Sequence, residues 1–217
     1  MKRSKTILTG FKTGLLAAVI FLCAASTTYS QLSVKLGPEF GLNIANTSNT
    51  PSATTNSRIG LIIGGVVDVS ISPQFSMVTG LRYIMKGNET VTADFFGSST
   101  TTQKANFLEI PALAKVKFPL TEIKPYVIAG PTLGLKLSAT TRTDQGTTGG
   151  QDVDNPNVET IDFGLFFGAG LDFNVVPTTD LFFQAGYSLG LSNLSKTANT
   201  TVKTTGIQLV VGAKFKI

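Results

Sequence analysis

The stretch IDFGLFFGAGLDFNV, from Ile161 to Val175, changes character at every residue. One parity carries Ile161, Phe163, Leu165, Phe167, Ala169, Leu171, Phe173 and Val175. The other carries Asp162, Gly164, Phe166, Gly168, Gly170, Asp172 and Asn174. Successive side chains of a strand point to opposite faces, so this is a strand with one apolar face and one small or polar face. At about fifteen residues it is far longer than the usual five or six, and long enough to cross a bilayer at a tilt, which takes roughly nine to eleven.

The same alternation recurs along the chain, predicting about eight strands. The other seven run approximately over Leu32–Ala45, Arg58–Ile71, Phe75–Lys86, Ala105–Phe118, Lys124–Leu137, Leu181–Leu191 and Gly206–Ile217. Only Ile62 and Val66 interrupt the polar parity of the second. Pro111 and Pro131 each remove a ladder donor and predict bulges or kinks. The connections alternate in length. Those near Ser72–Gln74, Pro119–Ile123 and Val176–Thr179 are short, whereas Asn46–Ser57, Gly87–Lys104, Ser138–Asn157 and Ser192–Thr201 are long and rich in Thr, Ser, Asn and Gly. Tight turns on one side and long loops on the other are the pattern of bacterial outer-membrane barrels, whose long loops face outward.

A soluble, lipocalin-like ligand-binding barrel alternates too, but hides its large apolar residues inside and shows charge to water. Here the polar parity is crowded with glycine, at Gly37, Gly41, Gly60, Gly64, Gly80, Gly164, Gly168, Gly170, Gly186, Gly190, Gly206 and Gly212, and charged residues make up only 14% of the chain. Such residues suit a narrow lumen and make a poor water-facing surface. On the apolar parity, Phe75, Phe118, Phe173, Phe183 and Phe215 all fall beside short turns or the last residues, as an aromatic girdle at one membrane interface requires. The expected fold is all-β, an eight-stranded antiparallel up-and-down transmembrane β-barrel. An open sheet edge is not tolerated in lipid, so the last strand must pair with the first.

Residues 1–30 read as a secretory signal peptide: Lys2, Arg3, Lys5 and Lys12, an apolar run from Gly14 to Ala25, then Thr28-Tyr29-Ser30, with cleavage before Gln31. The run of about twelve apolar residues is short of the twenty a membrane helix needs. The outer-membrane barrel domain is then 31–217. Cys23, the one cysteine, leaves with the signal, and removal of the four basic residues takes the formal net charge from +5 to +1. No cluster of Lys and Arg remains for nucleic acid. No cofactor is expected, and without a thiol or any histidine the common nucleophile–base pairs and most transition-metal sites have no residues to build on. The oxygen-rich stretch from Asp144 to Asn157 has near-alternate spacing of a kind calcium favours, yet lacks the glycine and closing glutamate of an EF-hand loop, and reads as a solvated acidic loop.

Eight strands leave an interior just wide enough for side chains. Lys35, Glu39, Arg58, Asp68, Arg82, Glu109, Lys115, Asp162 and Asp172 should point into it, and buried charges need partners of opposite sign, so a structural lumenal charge network is expected there.

The segment from Asn106 to Lys115, with its Glu109-Ile110-Pro111 centre, resembles the characteristic strand of PorT-like outer-membrane β-barrels, small barrels of the OmpA and OmpX type. Lys124-Pro125-Tyr126-Val127, Ala129-Gly130-Pro131, Asp162-Phe163-Gly164, Gly168-Ala169-Gly170-Leu171 and Gly80-Leu81-Arg82-Tyr83 with Lys86-Gly87 carry the resemblance over nearly the whole mature chain. It implies an eight-stranded barrel in the outer membrane of a Gram-negative bacterium. The expected function is that of a non-enzymatic integral barrel with a side-chain-filled lumen, whose long external loops serve binding or envelope-structural roles. Its partners would be outer-membrane lipid, the barrel-assembly machinery during biogenesis and an envelope or surface protein. The alternative is an accessory to transport or protein secretion, as a pore or a component of a larger machine.

Overall fold

The computed structural model describes residues 32–50, 56–94, 97–118, 123–145, 149–197 and 199–217. The expected signal peptide, with Cys23, lies outside the described residues, as do Pro119–Glu122 of the short turn after the fourth strand. The strands are β1 (Ser33–Thr50), β2 (Asn56–Ser70), β3 (Phe75–Asp94), β4 (Gly97–Lys117), β5 (Ile123–Gln145), β6 (Asp152–Asp154), β7 (Ile161–Val176), β8 (Thr179–Gly190) and β9 (Thr201–Lys216).

Eight of them close into one antiparallel ring. Neighbours in sequence pair throughout, β4 pairs with β5, β5 with β7, and β9 returns to β1 through Leu36↔Phe215, Leu42↔Leu209 and Thr50↔Thr201. Closure gives every strand a partner on both sides, which is what lipid demands of backbone N–H and C=O groups. The ninth, β6, is a short addition that pairs with the far end of β5, Thr141 opposite Val153.

The apolar parity lies outside. Phe40, Ile59, Ile63, Phe75, Leu81, Phe163, Phe167, Leu181, Phe183 and Val211 are all exposed on the outer wall. Phe118, Phe173 and Phe215 share that surface. With Phe75 at the start of β3 and Phe215 opposite Thr179, these rings lie toward the short-turn end.

Inside, the filling is less polar than glycines and ions alone would make it. Ile62 and Val66, the interruptions of β2, are buried with Val78, Ile84, Leu113, Ile128 and Val210, and with the rings of Phe107, Tyr126, Phe166 and Phe182. The lumenal glycines make room for those rings. A Cβ on Gly186 would stand 2.3 Å from Phe166 Cζ, one on Gly170 2.5 Å from Tyr126 Cζ, and one on Gly212 2.5 Å from Phe182 Cε1. Gly87 serves the backbone instead. Its φ of 144° belongs to a region that side chains with a Cβ rarely enter, and a Cβ there would meet Gln103 O at 2.1 Å.

Two expectations need correction. Most of the long connections are strand rather than loop. The arms of β3, β4 and β5 reach Asp94, Gly97 and Gln145, in 20, 21 and 23 residues, about ten more than a bilayer crossing uses. Their Thr residues favour strand through β-branching, and Thr and Ser alike make cross-strand contacts, without supplying any apolar alternation. The prolines, moreover, cause no slip: Pro111↔Thr132 and Pro131↔Leu165 stay in register, and Pro111 O accepts a 2.8 Å hydrogen bond from Thr79 Oγ1. The register shifts fall instead between Ser57 and Ile62, between Asn106 and Phe107, and between Asn174 and Val176.

Candidate functional site

Ladder geometry sends every second residue of each strand inward, so charges far apart in sequence meet in a lumen one side chain wide. Toward the short-turn end, four strands contribute one charge each: Asp68 from β2, Lys115 from β4, Asp172 from β7 and Lys214 from β9. Lys115 Nζ lies 3.2 Å from Asp68 Oδ2 and 2.5 Å from Asp172 Oδ2; Lys214 Nζ lies 2.9 Å from Asp68 Oδ2 and 2.9 Å from Asp172 Oδ1. Signs alternate around this closed square. Each ammonium also stands over a ring, Lys115 at 3.8 Å from the centroid of Tyr126 and Lys214 at 5.2 Å from that of Phe182. The ring quadrupole adds attraction where water is excluded.

A second cluster lies closer to the arms. Arg82 and Glu109 are direct cross-strand partners, and the guanidinium donates to Glu109 Oε1 from Nε at 3.0 Å and from Nη2 at 2.6 Å. Lys86, four residues further along β3 and therefore on the same face, bridges Glu109 Oε2 and Asp162 Oδ2 at 2.9 Å each. Asp162 also accepts from Ser192 Oγ at 2.9 Å and Thr204 Oγ1 at 3.2 Å. Rings repeat here: Phe166 lies 5.8 Å from the Arg82 guanidinium and Phe107 5.4 Å from Lys86. Removing any such charge from water is costly, and only opposite charges with further hydrogen bonds offset that cost. Each cluster holds two cations and two anions.

Of the residues expected to face the lumen, Glu39, Asp68, Arg82, Glu109, Lys115, Asp162 and Asp172 are buried there. Lys35 is part-buried at the short-turn end and pairs with Asp180, which also accepts from Asn174. Arg58 has no acidic partner among the described residues; its Nη1 donates to Lys86 O at 3.1 Å. Glu39 lines a cavity of about 20 Å³ between the clusters, with Asp68, Arg82, Lys115 and Gln184, room for about one water molecule. Sequence reasoning missed Lys86, Lys214 and Asp180 as network members. Lys86 and Lys214 stand on the polar parity of their strands, so the alternation itself was the available signal. Phe107, Phe166 and Phe182, also on that parity, carried none.

Above the second cluster the lumen opens into a cleft of about 260 Å³. Lys86, Asn88 and Thr204 line it from the barrel, Gln103, Lys104 and Thr140 from the arms, and two connections cross over it. The segment before β7 and the segment between β8 and β9 are tied together by Glu159 N to Leu194 O at 2.8 Å, Lys196 N to Asn157 O at 2.9 Å and the bridge Val158↔Ser195. Lys136 Nζ donates to Val158 O, fixing this strap to β5. Leu194 is buried beneath it. Outside the lumen, Asp144 and Asp152 of the oxygen-rich stretch face Arg142 and Lys104 respectively.

Residues 29–196 match the family model described as outer membrane protein beta-barrel domain. Among solved structures, neisserial surface protein A is similar at 18% identity and a TM-score of 0.48, over 84% of this chain and 97% of that one. OprG from Pseudomonas aeruginosa is similar at 12% identity and a TM-score of 0.48, over 86% and 95%. Ail of Yersinia pestis, solved with the heparin analogue sucrose octasulfate, is similar at 14% identity and a TM-score of 0.40, over 85% and 99%. No curated protein matches the chain.

Proposed function

From the premise that the chain belongs to the outer membrane protein beta-barrel domain family and resides in the bacterial outer membrane, we propose that it is a non-enzymatic wall-and-mount protein. Its lumen is closed and its projecting strand arms are the working surface, binding an envelope or surface protein. One observation carries this reading: two charge clusters, each electrically balanced and roofed by aromatic rings, fill the cross-section, while β3, β4 and β5 continue well past the membrane. Rigid strands position a recognition surface better than free loops do. The arms face the cell exterior, as the long connections of outer-membrane barrels do.

Residues 1–30 are the export signal in this reading, and the barrel-assembly machinery inserts residues 31–217. The Glu109-Ile110-Pro111 strand supports a place among the PorT-like barrels, without the secretion role associated with PorT itself. Every carboxylate of the two clusters is engaged by a cation, which leaves none of them free to act as a base.

The test shortens the β3–β4 arm by replacing Val91–Thr100 with Asn-Gly, which joins the paired residues Thr90 and Thr101 through a tight turn. The shortened barrel should fold, conduct no steady current in planar bilayers, and lose capture of cross-linked envelope partners from whole cells. Retained capture, a steady conductance of the intact protein, or a secretion defect insensitive to the arm would overturn the proposal in favour of a transport or secretion role.

A further inference from the structure

The cleft beneath the strap is a built polar site that the arm surface does not use. Its lining is dominated by hydroxyl and amide side chains: Asn88, Gln103, Thr140, Asn155, Asn157 and Thr200. Among the described residues lining it there is no carboxylate and no aromatic ring. Two lysines are, Lys86 and Lys104, but each already has acidic partners: Lys86 holds Glu109 and Asp162, and Lys104 holds Asp152. Their charge is therefore spent, and nothing in the cleft calls for an anion. At its floor, Asn88 is 2% exposed and its Oδ1 has no hydrogen-bond partner among the described residues. A buried carbonyl oxygen without a donor is a costly arrangement that a bound hydroxyl would relieve. Lys86, with three N–H donors and two carboxylate contacts, keeps one donor for a hydroxyl oxygen.

We infer that this cleft binds a neutral polyhydroxylated molecule, a single sugar ring of a saccharide. A sugar hydroxyl is both donor and acceptor, so once the Asn88 amide turns toward the cleft adjacent hydroxyls satisfy its buried Oδ1 and the neighbouring Thr and Asn groups together. A volume of about 260 Å³ is below the usual range for drug-sized ligands and holds one ring rather than an extended chain. The strap, whose two segments are tied together by Glu159 N and Leu194 O, crosses over it. This site stands whether or not the arms bind a protein.

The experiment uses the mature barrel in nanodiscs or in a detergent without a sugar headgroup, since a maltoside would compete. Glucose, galactose, mannose and N-acetylglucosamine are titrated separately, with inorganic phosphate as the anionic comparison, following the Gln103 and Asn157 side-chain amides of the cleft by NMR. At least one sugar should give a saturable shift, with phosphate giving none. Asn88→Ala should weaken that binding by roughly three- to tenfold, the range of one neutral hydrogen bond. Thr140→Val, which touches neither charge cluster, should weaken it in the same sense and carries the test if Asn88→Ala fails to fold. Absence of a saturable shift with every sugar, or saturation by phosphate, overturns the inference, as does binding that both variants leave unchanged.

Discussion

The lumen and the arms of this barrel use the same ion pairs under opposite rules. In the lumen, Lys115, Lys214, Asp68 and Asp172 have side chains at most 4% exposed and share contacts four ways. In the arms, Lys104 and Asp152 meet at 2.9 Å with 27% and 44% exposure, and Arg142 meets Asp144 at 3.0 Å with 40% and 32%. The distances are alike, but the surroundings are not. Water screens the arm pairs and would solvate either partner left alone; nothing in the lumen would do so. A pair distance is thus a poor guide to what the pair contributes.

The comparison would break first at the square. Asp172→Ala leaves Lys115 and Lys214 sharing one carboxylate, and should cost about 3–5 kcal/mol, read from urea unfolding in phosphatidylcholine vesicles. A loss under about 1 kcal/mol, the range of exposed pairs, would erase the distinction between the regions. Replacing the pair together, Lys115→Met with Asp172→Leu, should cost less than Asp172→Ala alone, because no charge is then stranded.

Packing sharpens the contrast next. Gly186→Leu drives a side chain into Phe166 and should cost about 1–3 kcal/mol by overpacking, with part of the loss recovered when Phe166→Leu is added. Equal cost with and without that second change would show that the glycine serves only the backbone.

In the arms, Asp152→Ala should change stability by less than about 1 kcal/mol, and the change should shrink as salt is raised. Smallest of all is the effect of acid at Asp144. Its carboxyl is held below the usual carboxylate range, first by the backbone N–H of Gly150, donated at 2.7 Å, and then by Arg142. A lowered folded-state value means that its contribution is present above the ordinary carboxylate range and is lost as pH falls through the folded-state value. The Gly150 amide resonance should move over that acidic interval and stay fixed in Asp144→Asn. An invariant resonance in the unaltered protein would remove this latch from the account.

The two regions also differ in how far they could be read from sequence. At membrane height, alternation between Phe163, Leu165, Phe167 and Asp162, Gly164, Gly168 reports a physical boundary between lipid and lumen, so strand positions and the ring followed directly. The arms have water on both sides, and Thr100, Thr101 and Thr102 carry the propensity of a strand without its polarity. Their pairing with Thr143 and Arg142 is decided by β5, some forty residues away. Within the lumen, the charges were legible because a carboxylate on the polar parity has nowhere else to go. The rings of Phe166 and Phe182 were not, because a phenylalanine there is accommodated only by glycines on other strands, Gly186 and Gly212. The strap is likewise a contact between distant segments, with no local pattern at Glu159 or Leu194 to announce it.

Four unit charges that alternate around a closed square sum to neither a monopole nor a dipole. The lowest surviving moment is a quadrupole, whose potential dies away within a few side-chain lengths. A voltage applied between the two faces of the membrane therefore finds no net charge to move in Asp68, Lys115, Asp172 and Lys214 as a group.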